Sequence, residues 1–179
     1  ALSRAADPAV DVTMALSSLS AELSRAASHA LDVETFLNST LDRRRPVLDV
    51  RSPGEYAHGH IVGAVNVPLF SDAERATVGT AYKQQGREAA MAIGMRLVAP
   101  KLQALVAKAK ALAGEGDDVG VHCWRGGMRS NAVAWLLRQH GLKTVTLGGG
   151  YKAYRAWAGG LWGPIAMPTP RAKQKKDKR

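Results

Sequence analysis

The segment His122-Cys123-Trp124-Arg125-Gly126-Gly127-Met128-Arg129-Ser130 gathers a thiol, two cations, two glycines and a hydroxyl. Cys123 is the only cysteine of the chain, and it is the candidate nucleophile. The apolar run Val119-Gly120-Val121 leads into it, and a helical pattern starting near Ser130 follows it. Loop N–H groups and a helix N-terminus favour negative charge, and therefore the thiolate. Gly126 and Gly127 let the backbone curl so that its N–H groups point inward. Arg129 can hold an oxyanion in two-point contact, and Arg125 is a second cation at the mouth. Ser130 can cap the helix and hydrogen-bond the thiolate. Trp124 walls the pocket or packs, Met128 completes the loop, and Arg51, which follows another strand, reaches the same rim. A thiolate in such a cradle attacks a sulfane sulfur, a selenium donor, or a phosphate or arsenate. The cradle alone does not choose among these. The bland alternative is a buried structural cysteine, which two following glycines and two arginines argue against.

The elements that must position this loop alternate. Asp32 to Leu37 reads as a capped short helix. Pro46 to Val50 reads as a buried strand stopped by Ser52-Pro53-Gly54, with Arg43-Arg44-Arg45 a surface turn before it. Glu55 to Gly59 is one helical turn or a loop, and Val62 to Val67 a second strand. Residues 70–99 are polar and mixed, with a helix over Glu88 to Leu97. Pro100 sits at the first turn of a long helix. Its stripe is Leu102, Leu105, Val106, Ala109 and Leu112, and Lys101, Lys108 and Lys110 face away. Asp118 to His122 is a third strand and Asn131 to His140 a helix with Val133, Leu136 and Leu137 inward. Thr144 to Leu147 is a fourth strand and Tyr151 to Trp157 a last helix. Strands alternating with helices predict an α/β fold with a parallel sheet, its chemistry at the carboxyl ends of the strands.

The chain divides into an N-terminal extension (1–29), one domain (30–160) and a basic Pro/Lys-rich tail (161–179). Leu16, Leu19 and Leu23 fall at helical spacing within the extension. The first 30 residues are rich in Ala and Ser with Arg4 and Arg25, like a transit remnant, although Asp7, Asp11 and Glu22 depart from that pattern. Bacterial cytoplasm, mitochondrion and chloroplast all stay open. No apolar stretch approaches the roughly 20 residues of a membrane span, so no membrane partner is expected. The net charge is +10. Arg171, Lys173, Lys175, Lys176, Lys178 and Arg179 supply much of it, against Asp177. A basic body with a basic tail points to an acidic partner, RNA first, or else to a solubilising tail. Lys83, Lys152 and Arg155, beside Tyr82, Tyr151 and Tyr154, could stack on and neutralise a nucleotide, or be ordinary packing and solvated charge. Trp135, Trp157 and Trp162 read as core or core-edge residues. His58-x-His60 lacks further ligands, so no metal site is expected, and His60 is better placed as a hydrogen-bonding turn residue. Asp49 fits an ion pair that orients Arg51 better than it fits a catalytic acid.

Leu48-Asp49-Val50-Arg51-Ser52-Pro53-Gly54-Glu55-Tyr56 and Gly59-His60-Ile61-Val62-Gly63-Ala64-Val65-Asn66-Val67-Pro68 resemble the rhodanese signature, over about residues 30 to 158. The resemblance implies a three-layer rhodanese-like fold, a mostly parallel central sheet flanked by helices, with Cys123 as the sulfur carrier. Within that family, residues 74–86, the loop 123–130 and Gly149-Gly150-Tyr151-Lys152-Ala153-Tyr154-Arg155 resemble the rhodanese domain of bacterial tRNA 2-selenouridine synthases. That narrower resemblance implies a Cys123 persulfide or selenosulfide, a small sulfur or selenium anion as donor, and 2-thio- or 2-selenouridine chemistry on tRNA. Two departures qualify it. Those enzymes carry a P-loop domain after the rhodanese domain, and no G-x-x-x-x-G-K-[ST] occurs here, so a fragment or a stand-alone relative without bound cofactor is expected. Ordinary rhodaneses keep four residues between the cysteine and the loop arginine, and here there are five, which also fits a cysteine-dependent phosphatase or arsenate reductase. That chemistry needs a general acid, for which Asp49 and Asp72 are the candidates. A non-catalytic RNA-binding subunit of an organellar ribosome or another ribonucleoprotein is the third alternative.

Overall fold

The structure is a computed structural model that describes residues 30–42 and 45–162. Its sheet has five parallel strands: β1 (Ala30–Leu31), β2 (Val47–Asp49), β3 (Val65–Asn66), β4 (Asp118–His122) and β5 (Lys143–Leu147), in the order β1-β5-β4-β2-β3. The helices are α1 (Val33–Asp42), α2 (Pro53–Ala57), α3 (Asp72–Gln85), α4 (Arg87–Val98), α5 (Leu102–Ala113), α6 (Met128–Gln139) and α7 (Gly150–Trp162). A strand buried on both faces reads as a continuous apolar run, which is why Val47-Leu48 and Val119-Gly120-Val121 lie at the centre of the sheet. On one face Leu105, Val106 and Ala109 of α5 and Val133, Ala134 and Leu137 of α6 pack on Leu48, Val119 and Val121. On the other, Val33 and Phe36 of α1 and Tyr151 of α7 pack with Val47, Ile61 and Leu147. The result is the three-layer α/β fold expected.

Several local expectations are corrected. Ala30–Leu31 forms an edge strand on β5, a fifth where four were expected. Ser52-Pro53-Gly54 starts a helix instead of ending a strand: Ser52 is the N-cap, Pro53 takes the first turn, and the Glu55 side chain reaches back to the Ser52 N–H. The second strand shrinks to Val65–Asn66, and Val62 is exposed. Residues 72–98 form a helical hairpin, with only Ala81, Ala90 and Gly94 buried in its two helices. Arg45 is buried, bonded to Asp118 and Ser39, because it closes the start of β2 over that of β4; Arg43 and Arg44 lie outside the described residues. Lys101 is half-buried and reaches the Leu69 carbonyl and Glu74, whereas Lys108 stays exposed while bonding the Asn66 carbonyl. The helical run Arg87–Gly116 is long and apolar enough to cross a membrane by length and composition, contrary to the expectation from the sequence. Inside it a 3-10 turn at Ala99–Lys101 intervenes, and Leu105, Val106 and Ala109 face the sheet. The helical spacing at Leu16, Leu19 and Leu23, Trp162's packing and the tail 163–179 lie outside the described side chains.

Candidate functional site

β4 ends at His122, and Cys123 is the first residue beyond it, at the carboxyl edge of the sheet. The loop then crosses over the turn Gly148-Gly149-Gly150. The N–H of Tyr151 donates to the Cys123 carbonyl (2.9 Å) and the N–H of Lys152 to the Trp124 carbonyl (3.0 Å). The peptide bonds of the described residues are all trans, so each following N–H points opposite its carbonyl. The N–H groups of Trp124 and Arg125 therefore aim away from α7. None of the N–H groups of Trp124, Arg125, Gly126 or Gly127 donates to a protein acceptor among the described residues. The carbonyls of Cys123, Trp124 and Gly127, the last taking the Asn131 N–H, are thus satisfied while the loop donors are open, which is the polarity of an anion site. Close backbone approach makes this possible. A Cβ on Gly150 would lie 2.4 Å from both the Cys123 carbonyl oxygen and the Gly126 nitrogen, and Gly150 holds φ at +60°.

Cys123 is 3% exposed, at the bottom of the loop. Its Sγ lies 3.3 Å from the Ser130 Oγ, and that hydroxyl also reaches the Gly127 carbonyl at 3.1 Å. One hydroxyl proton serves two acceptors. With a thiol, S–H donates to Oγ and the hydroxyl donates to Gly127. With a thiolate, the hydroxyl turns to the sulfur. Trp124 is half-buried and its ring packs against Tyr151, 5.9 Å between centroids. Arg125 and Met128 are exposed at the mouth.

Two arginines are committed elsewhere. Arg129 donates to Glu55 of α2, from Nη1 at 2.7 Å and Nη2 at 3.4 Å. Burial works against the Arg129 charge, but Glu55 and the nearby Cys123 sulfur outweigh it and raise the guanidinium above its ordinary value. Arg51 is 1% exposed. Its Nε donates to both Asp49 oxygens (2.9 and 3.0 Å), its Nη2 to the Gly59 carbonyl (2.8 Å), and the Tyr151 ring lies under its Cζ at 4.0 Å. Arg51 and Asp49 therefore form an internal ion pair below the loop, and Arg51 is not presented to the mouth. His60 bonds the Tyr56 carbonyl (3.1 Å) and stacks on the Tyr56 ring, away from Cys123. Lys83 on α3, and Lys152 and Arg155 on α7, are exposed on two separate helices; Arg171 to Arg179 fall outside the described residues. Of the two candidate general acids, Asp49 holds Arg51, and Asp72 accepts the Gly54 N–H (2.9 and 3.2 Å).

Two residues of the site were missed in the sequence. Glu55 is one; its only signal is its place in a capping box. His122 is the other. It is fully buried, its ring nitrogens have no hydrogen-bond partner, and Nε2 lies 3.6 Å from Asp49 Oδ2. Burial lowers it from 6.5 to about 4, against the pull of Asp49 and with a push from Arg51. The imidazole is neutral at pH 7 and acts as packing between Asp49 and Tyr151, with the His122 and Tyr151 ring centroids 6.4 Å apart.

Comparison with known proteins agrees with this geometry. The tRNA 2-selenouridine synthase of Bordetella bronchiseptica is 46% identical over 114 residues, covering 63% of this chain and 31% of its own length. That of Pseudomonas fluorescens is 43% identical over 126 residues, covering 69% of this chain and 33% of its own. The chain thus spans about a third of the length of the curated relatives it matches. Among solved structures, the N-terminal domain of a protein described as ATP/GTP-binding from Clostridium difficile 630 superposes with a TM-score of 0.67 at 40% identity. It covers 72% of this chain and 98% of that one. A family model, the Rhodanese-like domain, matches residues 32–156. Because that match contains the central strands and the entire cysteine loop, the chain belongs to the rhodanese-like family.

Proposed function

We propose that Cys123 accepts a sulfur or selenium atom from a small anionic donor and carries it for 2-thio- or 2-selenouridine modification of tRNA. The coarse chemistry is that of a rhodanese-like sulfurtransferase domain. The observation that carries the finer reading is the loop itself: a thiol at a strand end, under backbone N–H groups that no protein acceptor takes. With thiosulfate, the thiolate attacks the outer sulfur, the new S–S bond forms, and sulfite leaves with the electron pair of the broken bond. The open N–H groups and Arg129 hold the sulfonate oxygens as that charge is released. Ser130 holds the thiolate before attack. The acceptor rests on the relatives: chains 39–46% identical over this region are tRNA 2-selenouridine synthases. The exposed cations Arg125 on the loop and Lys152 and Arg155 on α7 suit a phosphate backbone.

The test is intact-mass analysis after incubation with thiosulfate or selenophosphate. One added sulfur or selenium atom is expected on the wild type and none on Cys123→Ser. Selenium-loaded protein is then mixed with a 2-thiouridine-containing anticodon stem-loop and a dithiol: the dithiol reduces the adduct to selenide, selenide displaces sulfide at the 2-position, and loss of the adduct with 2-selenouridine in the digest supports the acceptor. No adduct with either donor removes the carrier function.

A further inference from the structure

We propose that Glu55 is the residue that positions Arg129 over the sulfur, and that α3 braces it for this purpose. The inference rests on Cys123 being the reactive thiol of the proposed function, and it assigns a role to a helix outside the cysteine loop. Glu55 accepts two donors on one oxygen, the Ser52 N–H at 3.2 Å and Arg129 Nη1 at 2.7 Å, and Arg75 Nε stands 3.7 Å from that same oxygen as an ion pair. Its second oxygen takes Arg129 Nη2. A guanidinium has five N–H donors in a fixed plane, and Glu55 takes one edge of it. The other edge has no protein acceptor among the described residues. Arg129 directly precedes Ser130, whose Oγ lies 3.3 Å from Sγ, so Glu55 ties down the residue next to the one that touches the sulfur.

The first turn of α3 fastens to α2 twice. Asp72 accepts the Gly54 N–H through both carboxylate oxygens, and Arg75 stands beside Glu55. Asp72 and Arg75 therefore set the height of α2 against the loop. The Ser71 capping box, in which Ser71 and Glu74 exchange backbone hydrogen bonds, fixes that first turn in place. The chain of contacts runs from α3 through Glu55 and Arg129 to the loop, and its last link is an ion pair only partly exposed to solvent.

Alkylation of the single cysteine tests this without any transfer reaction. Anionic iodoacetate and neutral iodoacetamide both lose iodide to the thiolate, and the ratio of their rates reads the cation beside Sγ. The full chain is treated with each, and the mass gain is followed over time. The wild type should favour iodoacetate relative to free cysteine, and Arg129→Met should lose that preference. Glu55→Gln should lower the ratio about threefold or more, Glu55→Asp should fall between, and Arg75→Met should lower it by less. An unchanged ratio in Glu55→Gln, or in Arg75→Met should the first variant not fold, overturns the proposal. So does an unchanged ratio in Arg129→Met. Thiosulfate loading is measured separately: a fallen ratio with no persulfide keeps the role of Glu55 and removes the carrier function, whereas loading with an unchanged ratio does the reverse.

Discussion

Mild acid should weaken the fold through one group, His122. Its imidazole is lowered from 6.5 to about 4 by burial, and its two nitrogens have no partner. The folded state therefore holds it neutral while the unfolded chain accepts a proton below about pH 6.5. The unfolded state binds more protons through that window, so stability is complete above the unfolded pKa and falls as pH drops toward the folded one. Applying linkage to these two values gives a loss of about 2 kcal/mol between about pH 7.5 and about pH 5. For a domain of this size that is roughly 4–8 °C in melting temperature. Glu55, lowered by Arg129 against the cost of burial, acts in the same direction but below its ordinary carboxylate range of 4.5, so it does not contaminate the window. The assay is urea denaturation at a series of pH values, comparing wild type with His122→Phe, which keeps a ring and removes the titration. The variant should lose most of the slope. A wild-type loss below about 0.5 kcal/mol refutes the argument, as does an imidazole that titrates near 6.5 by proton NMR.

Three further outcomes follow from the loop. Gly150→Ala places a methyl group 2.4 Å from two backbone atoms at φ +60° and should destabilise by about 2–4 kcal/mol in chemical denaturation, whereas Gly127→Ala meets nothing within 4 Å and should leave stability within about 0.5 kcal/mol. Ser130→Ala removes the hydroxyl 3.3 Å from Sγ and should slow persulfide formation from thiosulfate about tenfold in stopped-flow or mass assays. Asp49→Asn leaves the fully buried Arg51 without its carboxylate and should cost about 3–5 kcal/mol in urea denaturation.

What the sequence disclosed follows from what each element is buried against. β2 and β4 lie at the centre of the sheet, so Val47-Leu48 and Val119-Gly120-Val121 spell apolar runs, whereas β5, next to the edge strand, alternates Thr144 and Thr146 with Val145 and Leu147. The cysteine loop was equally plain, because glycines and arginines in that density have no packing use. β1 was invisible: two residues on an edge carry too little pattern to distinguish a strand from a loop. α2 hid behind its own cap, since Ser-Pro-Gly is turn chemistry as well as helix-start chemistry. α3 and α4 pack much of their surface on each other and bury small residues, Ala81, Ala90 and Gly94, so no apolar stripe marks them. The Asp49–Arg51 pair was readable at a spacing of two. The Glu55–Arg129 pair joins residues 74 positions apart, and nothing local to either one announces the other.

The near-complete burial of Cys123 bears on what the loop can deliver. At 3% exposure Cys123 presents almost no surface to an acceptor as large as a nucleobase. On the proposed function, loading places the atom to be transferred about 2 Å beyond Sγ, so that the cargo, and not the buried thiol, makes the encounter with a large acceptor.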